Sequence, residues 1–246
     1  MTEAADLSIA ILAGGLATRL RPLTEKVPKA LLDIGGEPFI AHQLRLLRAG
    51  GIRRAVLCAA YLGEMIRDVV GDGGRYGMEV AFSFDGGRLL GTGGAVRKAL
   101  PLLSPRFFVI YGDSYLPCPY QAIAAAFLAG GKRGLMTVYR NEGRFDSSNV
   151  EFAGGRVLAY DKKNVTPRMK HVDYGLSVFE QSVFAERPAD EPFDLAGVFA
   201  DLVARDDLAA FEVAERFYEI GSPQGLEETR RYILGGRTSA TKGGRG

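Results

Sequence analysis

Histidine and cysteine are both scarce in this chain, with two of each in 246 residues. The cysteines, Cys58 and Cys118, have no zinc-ligand spacing and form no disulfide framework, so a reducing, cytoplasmic setting is expected. No Ser-His-Asp or Cys-His arrangement for nucleophilic catalysis is present. No apolar run approaches the roughly 18 residues that a membrane span requires. The segment "MTEAADLS" is acidic and lacks a hydrophobic signal core, so the expectation is a soluble protein without a membrane partner. A surplus of one charge is also missing. Lys plus Arg number 31 and Asp plus Glu 29, and the excess of +2 argues against nucleic acid as a partner. Any cationic function must be local. No internal repeat and no Pro/Ser-rich linker interrupts the chain.

What is present is an alternation of apolar runs with amphipathic stretches. Residues 7–13 read as a buried strand and residues 38–49 as a helix, with Pro38 in its first turn and Gly50–Gly51 as its stop. "RRAVLCAAY" reads as a strand, residues 64–70 as a short helix, "MEVAFSF" as a strand and residues 94–103 as a helix. "RFFVIY" is a further buried strand, followed by a helix over 120–129 and the strand "GLMTVY". Such apolar strands between helices imply parallel βαβ units with both sheet faces covered. After residue 140 the pattern changes. "NVEFAGGRVLAYD" has a β-hairpin signature around Gly154–Gly155, and "KHVDYGLSVFE" reads as another strand. A helix over 194–204, two short strands in "AFEVAERFYEIG" and a helix over 223–234 follow. Residues 235–246 have little to bury and read as a flexible tail. The expected fold is α/β: a Rossmann-like, mostly parallel sheet flanked by helices, with a smaller antiparallel lobe. One domain over residues 1–234 would have one half at 7–140 and a second at 141–234.

Chemistry concentrates in "AILAGGLATRLRPLTEKVPKALL", residues 10–32. A buried strand gives way to Gly14 and Gly15, then to a basic loop with Arg19, Arg21, Lys26 and Lys29 and the prolines Pro22 and Pro28. Amides of a glycine-rich turn, free of Cβ atoms, can converge on phosphate oxygens. Arginines add charge and bidentate bonds, and prolines lower the entropy of ordering the loop. Neither G-x-x-x-x-G-K-[ST] nor G-x-G-x-x-G is present. The second element is "FFVIYGDSYL", where Gly112–Asp113 ends an apolar strand at the edge of the sheet where ligands bind. Magnesium takes one or two carboxylates together with phosphates, and Asp113 is the candidate. Glu219, in "RFYEIGSP", is the candidate second carboxylate.

These residues resemble the signature loop of sugar-1-phosphate nucleotidyltransferases, the NDP-sugar pyrophosphorylases. The likeness continues through "LLGTGGAVRKAL", "YGDSY", "AYDKKN", "DYGLSVF" and "FYEIGSP", in the family's order over residues 8–232. It is greatest toward heptose-1-phosphate guanylyltransferases, with N-acetylmuramate-1-phosphate uridylyltransferases close behind. The resemblance implies catalytic roles for Arg19, Lys29 and Asp113 and nucleotide contacts from Leu12, Ala13, Gly14, Gly15, Thr92, Gly93 and Gly94. It implies sugar contacts from Asn149, Asp173, Gly175 and Lys163, with Lys162 open as an alternative to Lys163. Mg2+ would be held by Asp113 and Glu219. The family has Asp where Glu219 stands, and the extra methylene moves that carboxylate outward. "SSN" at Ser147–Asn149 stands where Tyr-Gly is usual. The implied activity, in nucleotide-sugar biosynthesis, joins an NTP, with GTP favoured, to a sugar 1-phosphate such as a heptose 1-phosphate. UTP and dTTP are the alternative nucleotides, and self-association into a homo-oligomer is usual in the family. Two rival readings are a non-catalytic nucleotide-sugar-binding homologue and a glycosyltransferase. The first would be expected to lose Arg19, Lys29 or Asp113, and the second to carry Asp-x-Asp, which "GDSY" is not.

Overall fold

The computed structural model describes residues 7–15, 18–188 and 191–242. Readings that fall on residues 1–6, on Leu16 and Ala17 of the glycine loop and on residues 243–246 lie outside them. The chain runs β1 (Ser8–Leu12), α1 (Phe39–Ala49), β2 (Arg54–Ala59), α2 (Gly63–Val70), β3 (Glu79–Phe84) and α3 (Gly91–Ala99). It continues with β4 (Arg106–Tyr111), β5 (Ser114–Tyr115), α4 (Tyr120–Gly130), β6 (Gly134–Arg140), β7 (Val150–Ala153) and β8 (Arg156–Tyr160). β9 (His171–Glu180), α5 (Ser182–Ala185), α6 (Leu195–Ala204), β10 (Leu208–Val213), β11 (Tyr218–Glu219) and α7 (Pro223–Lys242) complete it.

Two helices differ most in extent from the sequence reading. α3 begins at Gly91 rather than at residue 94, because its first amides find acceptors on a distant segment, the Phe193–Asp194 corner. α7 passes residue 234 and reaches Lys242, through much of the stretch read as a tail. Its anchored part, with Leu226 and Ile233 in a small core beside Ile34, Phe39 and Ile220, supplies a helix nucleus. Propagation from a formed nucleus then adds one hydrogen bond per residue.

The main sheet has the order β10-β6-β9-β4-β1-β2-β3, with the β7–β8 hairpin attached through β9. Pairings β1–β2, β1–β4, β2–β3 and β6–β10 are parallel. β9 alone in this order runs antiparallel, against β4 on one side and β6 on the other. The sheet therefore does not divide at residue 140, since a strand from the later half lies in its middle. β9 is buried along most of its length, as a strand covered on both faces must be. Alternation in β1 sorts side chains between two cores. Ile9 and Ile11 pack with α1 and α4, and Ala10 faces the core of Phe107, Phe179, Phe184 and Phe199. Burial of each such phenylalanine contributes about 1.5–3 kcal/mol. The two-residue strands β5 and β11 form a separate antiparallel pair that sets Glu219 opposite Ser114.

Candidate active site

Because β1, β2, β3 and β4 are parallel, their carboxyl ends share one edge of the sheet. The chain leaves β1 toward β2 and β3, then returns to β4 on the other side of β1. Such a reversal leaves a crevice at the strand ends. A cavity of about 290 Å³ occupies it, lined by Leu12, Ala13, Gly14, Gly15, Lys29, Thr92 and Asp113 of the expected residues. Tyr111, Cys58, Asp85 and Asp194 also line it.

Asp113 follows Gly112 directly after β4. The Gly112 amide donates to the Leu12 carbonyl at 2.9 Å, and a Cβ on Gly112 would lie 2.6 Å from that same oxygen. Only glycine lets β4 leave its strand so close to β1, and that approach carries the Asp113 carboxylate to the cavity. From below, the fully buried Gln43 of α1 donates its amide to the carbonyls of Tyr111 at 3.1 Å and Ser114 at 2.7 Å, bracketing the Gly112–Asp113 turn. Lys29, in a one-turn 3-10 segment after the basic loop, donates to Asp113 Oδ2 at 2.7 Å. Arg19 reaches the same place. The point where a Gly221 side chain would begin lies 3.2 Å from both Arg19 Nη2 and Asp113 Oδ2. The basic loop and the strand-end carboxylate, read as separate elements, thus form one cluster.

The Glu219 carboxylate is committed to its own turn. It accepts from the Gly221 amide and from Ser222 Oγ, the latter at 2.8 Å, while Ser222 accepts from the Gly225 amide at the start of α7. It lines a second cavity, of about 130 Å³, with Arg144, Arg216 and Glu228. The extra methylene lets Glu219 fold back onto the helix start.

On the opposite wall, Thr92 lines the cavity but Gly93 and Gly94 do not. Their amides donate to the Phe193 carbonyl at 2.9 and 3.1 Å, and the Phe193 ring fills the space where a Gly93 Cβ would stand. These glycines serve packing between segments. Asp85 extends β3 at the carboxyl end, and its Oδ2 accepts from the Leu90 amide at 2.9 Å. Burial raises its carboxyl pKa, opposed by the Leu90 amide and by Lys98. Beside it, burial chiefly, with the Asp85 charge, pushes the Cys58 thiol up to about 12, so that cysteine is an inert wall.

The expected sugar contacts gather on β9. The Asp173 side chain is 2% exposed, and its Oδ2 lies 3.6 Å from Lys162 Nζ and accepts from Tyr160 Oη at 3.4 Å. Asn149 Oδ1 accepts from the Asp173 amide at 3.0 Å, and the Gly175 amide donates to Asp173 Oδ1 at 3.1 Å. Lys162 rather than Lys163 reaches inward, its ammonium 5.4 Å from the Tyr111 ring centre, whereas Lys163 is exposed and its amide donates to Asp161. Burial, then the charges of Asp173, Asp113 and Asp194, hold the Tyr111 hydroxyl well above its ordinary pKa. The buried histidines have other partners: His42 Nε2 is 2.9 Å from the Ile34 carbonyl, and His171 Nε2 is 3.1 Å from Glu212.

Sequence reasoning passed over Asp85, Asp194 and Gln43. Asp85 follows an apolar strand as Asp113 does, so the rule that ligands sit at strand carboxyl ends could have found it. Nothing local marks Asp194 or Gln43, whose contacts lie 102 and 68 residues away.

Comparison with known proteins accords with this arrangement. A family model described as "Nucleotidyl transferase" matches residues 9–234. N-acetylmuramate alpha-1-phosphate uridylyltransferase of Neisseria meningitidis serogroup B is 43% identical over 104 residues, 42% of this chain and 45% of that protein. Mannose-1-phosphate guanyltransferase beta-B of Xenopus laevis is 28% identical over 221 residues, 87% of this chain and 61% of that protein. The chain thus spans about half to three fifths of the length of these curated relatives. Among solved structures, HddC from Yersinia pseudotuberculosis superimposes with a TM-score of 0.77 at 22% identity, covering 92% of this chain and 99% of that one. With a family match that runs from β1 into α7 and takes in the whole crevice, the chain belongs to the nucleotidyl transferase family.

Proposed function

We propose that the chain transfers a nucleoside monophosphate from an NTP to a sugar 1-phosphate, releasing pyrophosphate, with GTP and a heptose 1-phosphate as the favoured pair. The observation that carries the reading is the meeting of Lys29, Arg19 and Asp113 beside the Gly14–Gly15 turn at the mouth of the strand-end cavity. A phosphate oxygen of the sugar 1-phosphate forms a bond to the α-phosphorus as the bond to the pyrophosphate oxygen breaks. The nucleophile is already anionic, so no general base is required. Lys29 and Arg19 hold the phosphates and oppose the charge that builds on the leaving group. Lys162, next to the buried Asp173, would receive the phosphate end of the sugar, with Asn149 and Gly175 fixing the Asp173 geometry.

The family chemistry implies magnesium, and the donor set fits an ion that arrives largely clothed in phosphate. Among the described residues no group of three or more His, Cys, Asp or Glu could hold a metal, while Mg2+ needs only one or two carboxylates beside its phosphates. Asp113 would hold the ion, which when bound would neutralise phosphate charge. Glu219, whose oxygens each keep a lone pair beside the bonds from Gly221 and Ser222 and whose Oε2 stands at the same Gly221 point as Arg19 and Asp113, would be the second carboxylate. The direct test is pyrophosphate release. It should require an NTP, a sugar 1-phosphate and Mg2+ together, and release without a sugar phosphate would sink the reading.

Base choice rests on Asp85. A carboxylate in the wall of a nucleoside cavity, as Asp85 is, favours N–H donors. Guanine offers adjacent donors at N1 and N2, whereas the single N–H of uracil sits between two carbonyl oxygens that a carboxylate repels. The complex of HddC with GMP-PN agrees in kind with a guanine preference, and the uridylyltransferase relative favours UTP. Asp85→Asn should lower the kcat/KM ratio of GTP over UTP by about tenfold to a hundredfold, in line with about 1–3 kcal/mol for a paired base contact. Because the pKa of the Asp85 carboxyl is raised, acidification neutralises it earlier than an ordinary aspartate, so the wild-type ratio should also fall as pH drops. An unchanged ratio in the variant would remove Asp85 from base selection.

A further inference from the structure

Two glycines in "EIGSPQG", Gly221 and Gly225, stand where their backbone does not ask for glycine. Neither has a positive φ, and Gly225 lies within α7, where alanine is the better helix former. Their neighbours supply the reason, and it differs between the two. A Cβ on Gly225 would lie 2.6 Å from the Glu219 carbonyl oxygen and 2.7 Å from the carboxylate carbon of the same residue. That carbonyl also accepts from Thr229 Oγ1 at 2.8 Å. Gly225 thus lets α7 rest directly on the backbone of β11, and its role is packing.

Gly221 is buried, and the three atoms nearest to a Cβ placed on it are all ends of charged side chains. Glu219 Oε2 would overlap that Cβ, while Arg19 Nη2 and Asp113 Oδ2 would each stand 3.2 Å away. The three arrive from separate parts of the chain: the basic loop after β1, the end of β4, and β11. The bare Cα of Gly221 therefore leaves the gap in which two carboxylates and a guanidinium face one another. Its amide also donates to Glu219 Oε2, so the residue both holds that carboxylate and leaves it room. An added methyl group would press on the free end of the Glu219 side chain, which would swing away and give up the amide. We infer that Gly221 is a positioning residue for the transfer reaction, whose missing side chain keeps the Glu219 carboxylate beside Asp113 and Arg19. It acts through Glu219 and not on the reacting atoms. The inference rests on the proposed reading that Glu219 is the second carboxylate for the cation.

Mn2+ binding to the nucleotide-free protein, read by electron paramagnetic resonance, tests it apart from turnover. Gly221→Ala should keep a melt near the wild-type value, since no left-handed φ is lost. Its Mn2+ binding should weaken by about tenfold, as for one unit charge withdrawn from a cation near a protein surface. Glu219→Ala should weaken binding to a similar extent. The double variant should bind no more weakly than Glu219→Ala alone, because the methyl group then has no carboxylate to displace. Gly225→Ala, by contrast, should lower the melt, because its Cβ meets backbone. Wild-type Mn2+ binding in Gly221→Ala beside an impaired Glu219→Ala overturns the inference, as does a further loss in the double variant. A Gly221→Ala protein that fails to fold overturns it too, since the glycine would then serve packing as Gly225 does. Wild-type binding in Glu219→Ala would instead overturn the reading of Glu219 as a metal carboxylate, and this inference with it.

Discussion

Asp113→Asn is expected to lower pyrophosphate release by about 10²–10³, the usual cost of removing one preorganised charged contact at a reacting phosphate. The substitution keeps the shape of the side chain and the Gly112 turn, so the loss would be electrostatic. Asn cannot balance the Lys29 ammonium, which now sits 2.7 Å from the carboxylate, and it is a poor ligand for a hard cation. The fold should survive. The turn is held by Gln43 and by the Ile220 amide donating to the Asp113 carbonyl at 2.9 Å, and neither contact uses the carboxylate. The measurement is steady-state pyrophosphate release beside a thermal melt. Most of the turnover remaining in a protein with a wild-type melt would sink the assignment of Asp113 to the reaction.

Lys29→Met should move two quantities in opposite directions. Transfer should fall by about 10²–10³, because a cation aimed at the phosphates is lost. Binding of Mn2+ to the nucleotide-free protein should tighten by about tenfold, because the ammonium that opposes a metal at Asp113 is gone. Two unit charges about 4 Å apart interact by about 1 kcal/mol in water and about 4 kcal/mol near a protein surface, and this pair is partly exposed, 19% and 25%. The lower part of that range corresponds to the tenfold effect. Lys29→Arg retains the charge and should leave Mn2+ binding near the wild-type value while still slowing transfer, since the planar fork does not replace a point charge. Mn2+ electron paramagnetic resonance reads the binding directly. Equal affinity in the wild-type and Met proteins would mean that Lys29 does not guard Asp113, whatever happens to the rate.

Element type along the chain was legible because apolar period and punctuation are local. "RFFVIY" could hardly be other than a buried strand, and Pro38 with Gly50–Gly51 bounded α1 to within a residue. That the glycine turn, Arg19, Lys29 and Asp113 stand together was legible for a related reason, since all follow closely on the ends of β1 and β4. The β9 pairing was not legible. A ten-residue buried strand carries no mark of its neighbours, and packing of the whole sheet set it between β4 and β6.

The site divides in the same way. The sequence by itself determined the meeting of the glycine turn, Arg19, Lys29 and Asp113, because those residues follow directly on the two neighbouring strands that present them. Tertiary structure alone decided the rest. It turned Glu219 back onto Gly221 and Ser222, gave Lys162 rather than Lys163 to Asp173, and withdrew the Gly93 and Gly94 amides to Phe193. It also brought Asp194 to Thr92 across 102 residues. The physical reason is common to these cases. An amide or carboxylate goes to whichever partner folding brings nearest, and for these groups the partner is fixed by how turns and helices pack around the sheet, which spacing along the chain does not encode.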